Sequence, residues 1–484
     1  MKSPANVDFI RESIITFLSD SLDKIAAFIA FVYFANYFTT DAFGTAYTVI
    51  GISMMAGSAP KAIADAISKR ISEDTRTYDP YFTLGVASII AFVLFAAAVV
   101  TVVIKLVESR FEVLALAGLV HLGTRPFLFH VERVYDGVGM TGAAASLDFV
   151  DGVLTALLRF VLILGLGFGP SGLLYSGALS AAMVGTVAYY LQFGMPTALP
   201  TRDTVADIKT FAGWSLVGRV SIEAFHNWPT VLAGVFVSPT LASWIRSAQT
   251  LSMPGDLPGR SVVKSIFVQV SGDLERGAVD VTPIQTGIDI ASIFGIPLIA
   301  GAVILGDSLM PLVFGAGYEN AGYVLVAVAA ARVFDQQARI LISTLNGADH
   351  PDATAKTNIA HAIGAGIVFM IVMILGGRLA FLLVLIAAYA SWMATAYWFV
   401  DQRVVDVDRL SWRFVLEQAL AAMVMTGAVA GVSAYVGASS WLITAFLIGI
   451  GGIVYAAVLL TASRRGRRIA KTVYGRFRPT QTQA

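Results

Sequence analysis

Acidic and basic side chains recur at helical spacing inside otherwise apolar stretches of this 484-residue chain. Asp20 and Lys24 stand four residues apart, with Asp23 between them. Lys61 and Asp65 repeat the interval, and so do Arg219 and Glu223, with His226 one turn further. Asp256, Arg260 and Lys264 form a stripe at steps of four, with Arg246 off that series. Arg332, Asp335 and Arg339 share a helical face, as do Asp148, Asp151 and Arg159. Residues three or four apart are neighbours on a helix. Each pair taken singly needs no more explanation than mutual neutralisation. Taken together, they point to side chains that converge on a hydrated cleft. The excess charge within these stretches is positive, so the cleft should prefer an anion, and Arg is the better planar partner for phosphate. We therefore take Lys24, Lys61, Arg219, Arg246, Arg260 and Arg332 as candidate anion-binding residues. Asp20, Asp23, Asp148, Asp151, Glu223 and Asp335 could bind Na+ or a proton. Other chemistries have no residues to support them. There are no cysteines, and the five histidines are scattered without a metal-ligand spacing, so no metal or other cofactor is expected.

The elements that must position these charges are membrane helices. The chain is 57% hydrophobic and 13% charged, with a net charge of +1. A water-soluble fold could not hide that much apolar side chain, and the near-neutral charge predicts no nucleic-acid partner. A spanning helix needs about 20 mostly apolar residues. The runs at 14–38, 45–70, 81–105, 111–136, 141–167, 171–194, 206–237, 239–270, 281–305, 320–346, 353–376, 378–400, 412–436 and 438–463 meet that need. Stretches such as VASIIAFVLFAAAVVTVVI do not alternate as barrel strands would. The expected fold class is an all-α membrane protein of about fourteen transmembrane helices. The first apolar run keeps Asp20, Asp23 and Lys24, which does not suit a cleavable signal. A charge at the bilayer centre costs about 2.5–3.5 kcal/mol or more, so the charged faces must turn inward.

Short loops rich in Gly, Pro, Asp and Ser leave no room for a soluble domain. With the N-terminus inside, most Lys and Arg fall on the inner side, and only Lys105, Arg110 and Arg378 fall outside. Both termini are then cytoplasmic, and the basic tail should meet anionic headgroups. The polar stretch MPTALPTRDTV at 195–205 separates the first twelve helices into two sets of six. This predicts a lobe at 1–194, a linker at 195–205, a second lobe at 206–400, two further helices at 401–463 and a basic tail at 464–484. The two six-helix lobes would be pseudo-symmetric and related as parallel repeats. A shift of 195 residues sets Lys24 on Arg219 and Lys61/Asp65 on Asp256/Arg260 with the signs exchanged. Pro254, Gly255, Pro258 and Gly259 would let helix eight bend, or simply hold a fixed kink.

Four stretches carry a family resemblance. They are DAFGTAYTVIGISMMAGSAPKAIADAISKRISE at 41–73, SPTLASWIRSAQTLSMPGDLPGRSVVKSIFVQVS at 238–271, PLVFGAGYENAGYVLVAVAAARVF at 311–334 and STLNGADHPDATAKTNIAHAIG at 343–364. In order and spacing the chain resembles the polysaccharide-type lipid-linked oligosaccharide flippases of the multidrug/oligosaccharidyl-lipid/polysaccharide (MOP) exporter superfamily, over roughly residues 14–400. The resemblance implies a two-lobed, MATE-like fold and alternating access. It also implies a polyprenyl-phosphate- or polyprenyl-diphosphate-linked sugar collected inside and delivered outside. Basic residues on helices one, two and eight face the cavity in such proteins. The matching positions here are Lys24, Lys61, and Arg246 or Arg260. This sequence departs from that pattern by setting acidic residues beside Lys24, Lys61 and Arg260.

Three other classes compete. A drug or cation antiporter of the same superfamily would need an acidic, aromatic cavity with few bases. A membrane glycosyltransferase or ligase would need a sugar-nucleotide fold around the one D-x-D, Asp406–Asp408, and no such fold is legible. A scaffold for envelope assembly would show no flux. The expected molecule is a monomeric transporter, not an enzyme. Its partners are a lipid-linked sugar, membrane lipids and a coupling Na+ or H+.

Overall fold

The computed structural model describes residues 25–73, 78–106, 111–276, 279–405, 412–437 and 440–477. Among these the chain is helical throughout, with no strand. In order the helices are α1 (Ile25–Tyr37), α2 (Thr40–Glu73), α3 (Tyr78–Leu106), α4 (Glu112–Gly137), α5 (Thr141–Arg159), α6 (Gly172–Phe193), α7 (Arg202–Leu232), α8 (Pro239–Leu251) and α9 (Leu257–Glu275). Then come α10 (Val281–Ser292), α11 (Gly295–Phe314), α12 (Gly322–Gly347), α13 (Pro351–Leu375), α14 (Gly377–Arg403), α15 (Arg413–Val436), α16 (Trp441–Ala462) and α17 (Arg464–Phe477). Eight helical stretches among the described residues are long and apolar enough to cross a membrane. α3 shows what such a helix looks like: Ile90, Leu94, Phe95, Val99 and Val102 are all exposed. Lipid, not water, is the solvent for that surface.

Contacts divide the chain into two units, Met1–Ser243 and Trp244–Ala484. In the first, α2 packs against α7 and α4, and α4 against α6 and α3. Ala66, Ile67 and Ile71 of α2 meet Val131, Val134 and Tyr135 of α4 and Tyr189 of α6. In lipid, helix association rests on close van der Waals packing and small residues. The α2–α7 seam follows that rule. A Cβ at Gly51 would lie 2.7 Å from Val231, and one at Gly234, in the π-helical extension of α7, would strike the Thr48 hydroxyl; beside the seam, a Cβ at Gly44 would strike the Pro239 carbonyl at the start of α8. α7 starts cleanly, because Thr201 and Thr204 form a reciprocal capping box.

In the second unit, α12 packs against α14, α11 and α9. Ile266 and Val270 of α9, Ile284 and Ile288 of α10, and Ile340 and Leu345 of α12 share one core. α15 and α16 attach to α11 through Leu305, Phe414, Ala421, Met425, Leu447 and Tyr455.

Several helices are interrupted. α5 runs into a π-helical segment at Phe160–Gly165, and α7 into another at Ala233–Val237. A 3-10 turn at Met253–Asp256 separates α8 from α9. Pro254 lies in that turn and Pro258 in the first turn of α9, where a missing N–H costs no helical bond.

Candidate functional site

In the first unit the charged side chains of α2, α4, α5 and α7 meet. Asp65 of α2 is the hub. Its Oδ2 accepts from Arg219 of α7 twice, from Nη2 at 2.6 Å and from Nε at 2.7 Å. Its Oδ1 lies 3.5 Å from Nε of Arg133 on α4. Arg133 also donates to Asp136 at 2.6 Å. The sequence spacing suggested a Lys61–Asp65 pair along one helix. Asp65 instead bonds across helices, because a guanidinium with several donors grips a carboxylate better than a flexible ammonium does.

Lys61 is left in a different setting. It makes no ion pair among the described residues, and its Nζ sits 5.6 Å from the centroid of the Phe129 ring. The same ring carries the guanidinium of Arg133 at 4.6 Å and that of Arg219 at 4.7 Å. Cations within about 6 Å of an aromatic face are attracted by its quadrupole. One phenyl ring thus gathers three positive side chains from α2, α4 and α7. The charges acting on Lys61 are Glu223, Arg125, Arg219 and Glu132.

The neighbouring acids are occupied. Arg125 of α4 pairs with the buried Asp151 of α5. Glu132 is hydrogen-bonded to Asp148. Glu223 accepts from Asn227 at 3.2 Å. Arg159, at the C-terminal end of α5, makes no ion pair among the described residues, and its buried Nε has no hydrogen-bond partner.

The second unit holds a separate charged group. Arg332 of α12 lies 3.5 Å from Asp256 in the 3-10 turn and 3.7 Å from Asp335. Arg339 donates to Asp335 at 3.1 Å. Both carboxylates are almost fully buried. A small cavity of about 10 Å³ lies beside Arg332, lined in part by Ser252, Gly255, Gly295, Arg332 and Gln336. The buried Gln336 Oε1 has no hydrogen-bond partner among the described residues. Gly259 packs so closely on Gln336 that a Cβ there would meet that oxygen.

Of the residues expected from sequence, Lys61, Arg219, Asp148, Asp151 and Glu223 lie in the first group, and Arg332, Asp335 and Gly255 in the second. Pro254 and Gly255 belong to the helix break itself. Arg246 is elsewhere on α8, where it donates to Gln249 at 3.4 Å. Asp20, Asp23, Lys24 and the Asp406–Asp408 motif lie outside the described residues, as do the side chains of Pro258, Arg260 and Lys264. Arg125, Phe129 and Arg133 were missed. Their steps of four along α4 place them on one face, and that interval is readable in the sequence. Among the described residues no cluster of His, Cys, Asp and Glu could hold a metal ion.

Comparison with known proteins adds the relatives. No family model matches the chain. It is 24% identical over 477 residues to a Haloferax volcanii protein named "Probable low-salt glycan biosynthesis flippase Agl15", covering 94% of this chain and 96% of that one. It is 25% identical over 250 residues to "Probable flippase AglR" of the same organism, a match spanning 47% of this chain and 52% of the relative. Among solved structures, the lipid II flippase MurJ in an inward closed conformation superposes with a TM-score of 0.72 at 13% identity, covering 94% of this chain and 99% of MurJ. An inward-facing MATE-family multidrug resistance transporter gives a TM-score of 0.61 at 14% identity over 79% of this chain and 95% of that one. The chain thus has a MurJ- and MATE-like fold and is similar along 94% of its length to a protein named as a flippase.

Proposed function

We propose that this chain is a flippase that moves a polyprenyl-phosphate- or polyprenyl-diphosphate-linked oligosaccharide from the cytoplasmic to the outer leaflet of the cell membrane. The product would serve cell-surface polysaccharide or glycoprotein glycan synthesis. One observation carries the reading: likeness along 94% of the chain to a protein named for glycan biosynthesis and flipping. The cations around Phe129 support a headgroup site in the first unit. Lys61 presents an ammonium with no carboxylate on it, and Arg133 and Arg219 flank it in an arrangement that Asp65 holds in place. A phosphate entering there gains an ammonium directly and shares the two guanidiniums with Asp65. Lys24, Arg246, Arg260 and Arg332 belong to the same proposed set. The break at Met253–Asp256 supports a hinge, with Pro254, Gly255, Pro258 and Gly259 as its residues. Fourteen crossings, cytoplasmic termini, a monomeric unit, and Na+ or H+ coupling through Asp20, Asp23, Asp148, Asp151, Glu223 or Asp335 belong to the same proposal.

The test is transport in proteoliposomes loaded with a fluorescent polyprenyl-diphosphate sugar. Chemical quenching of the exposed leaflet reads out its movement. Charge-assisted hydrogen bonds are worth about 1.5–3 kcal/mol, so Lys61→Gln should slow flux about tenfold or more. Lys69→Gln, at an exposed position on the same helix, should leave it unchanged. Equal flux in wild type and Lys61→Gln, with the fold intact, removes Lys61 from the site. Export of cationic dyes without movement of the sugar lipid would replace the flippase reading with the antiporter one.

A further inference from the structure

The basic C-terminal segment forms a helix with a fixed seat. α17 (Arg464–Phe477) begins two residues after α16, one of the eight membrane-length helices. Ser463 joins the two, and its Oγ accepts from the Gly466 N–H at 2.9 Å. Arg467 turns back on α16 and donates to the carbonyls of Leu460 and Thr461 at 2.9 and 2.6 Å. Those carbonyls would otherwise end the helix unsatisfied.

A second anchor comes from α10. Arg465 Nε lies 2.6 Å from Oδ2 of Asp289, a side chain with no exposed surface. Gln285 donates to the other Asp289 oxygen, and Gln418 of α15 donates to its backbone carbonyl, both at 2.9 Å. The stretch Val281–Phe314 has 34 residues. Asp289 lies in α10, ahead of the turn at 293–294 that separates α10 from α11, so the end of this stretch that α17 contacts is its N-terminal end. Ile469 packs on the cluster that holds Leu447, Tyr455 and Leu459. The opposite face carries Arg464, Arg468 and Lys471, all exposed and within an arc of about 60° on the helix, with Arg467 at its edge turned onto α16. The helix contains no acidic residue.

We propose that this face is a docking surface for anionic lipid headgroups, held at the membrane interface by the Arg465–Asp289 latch. The occupant follows from charge and position: three exposed bases share one face, at the end of a spanning helix, where phosphate-bearing lipids are the nearest anions. Juxtamembrane bases gain most from anionic lipid within a Debye length of the surface. This assignment rests on the chain being membrane-embedded and not on the identity of its cargo.

The chain has no cysteine, so a single Ala470→Cys variant of the full-length protein can carry an environment-sensitive fluorophore beside this face. In vesicles of phosphatidylcholine and phosphatidylglycerol, spin-labelled phosphatidylglycerol should quench it at least about threefold more than spin-labelled phosphatidylcholine at equal mole fraction. High salt should erase the difference, and so should the combined change Arg464→Gln, Arg468→Gln and Lys471→Gln, which spares Arg467 and its bonds to α16. Equal quenching by the two lipids in the unaltered background overturns the proposal. So does a preference that survives both high salt and the triple change in a folded protein. Should the triple variant fail to fold, the salt comparison decides alone.

Discussion

Removing the Asp65 charge tests the reading that one carboxylate ties three helices together. In Asp65→Asn, Arg219 loses two charge-assisted bonds of 2.6 and 2.7 Å, and Arg133 loses its closest approach to Asp65 at 3.5 Å. Breaking a fully buried pair costs about 3–5 kcal/mol. Here the side chains are 23% exposed for Asp65, 27% for Arg219 and 33% for Arg133. Solvent therefore screens part of the interaction, and the expected loss falls to about 1.5–3 kcal/mol. The Arg133–Asp136 bond survives, and so do the contacts of both guanidiniums with Phe129. A double-mutant cycle isolates the pair. Asp65→Asn, Arg219→Gln and the double variant would be unfolded reversibly in mixed micelles, with helicity as the signal. The coupling between Asp65 and Arg219 should be about 1–2 kcal/mol, and the double variant should lose less than the sum of the singles. Additivity within about 0.3 kcal/mol would falsify the claim that this bond holds α2 to α7. The corresponding cycle between Lys61 and Asp65 should be near additive.

Two further outcomes follow from local geometry. Gly44→Val forces a side chain into the Pro239 carbonyl, where backbone cannot yield as a flexible side chain can. Overpacking of this kind should cost about 1–3 kcal/mol in the same unfolding assay, whereas Gly301→Ala, with open space around it, should cost little. Asp280, just before the Val281–Phe314 stretch, caps α10 by accepting from the Thr282 N–H at 2.9 Å, and this bond holds its carboxyl below the ordinary aspartate range. The cap's contribution should be complete above that range and fade as pH falls through the lowered value. Hydrogen exchange in the first turn of α10 should rise on acidification in the native chain and not in Asp280→Asn.

The sequence announced its helices because lipid demands about 20 apolar residues at a time. The apolar criterion is met by α3, α4, α6, α10–α11 and α13 to α16. It is missed by α2, α5, α7, α8–α9 and α12, the helices in which charges at helical spacing had marked candidate function, whereas α1 is apolar and falls short only in its described length. Function and low hydropathy are here the same signal, since a side chain that lines a wet interior must be polar. The interruption between α8 and α9 falls at Pro254 and Gly255, where the sequence places its helix breakers. The partner of Asp65 was not, because i,i+4 spacing nominates Lys61 and says nothing about which helices become neighbours. Nor were the π-helical segments at Phe160–Gly165 and Ala233–Val237, which no local residue preference marks. The basic tail read as a charged run. Its Ile469, Val473 and Phe477, at steps of four, were the overlooked sign of a helix.

The α2–α7 seam has a mechanical consequence. Thr48 and Gly51 of α2 mesh with Gly234 and Val231 of α7 and its π-helical extension so closely that neither rod can slide or roll without collision. The two are therefore a single strut. Any rearrangement during a working cycle must carry both along together, and a pair of probes placed on them should report one unchanging separation while other distances breathe.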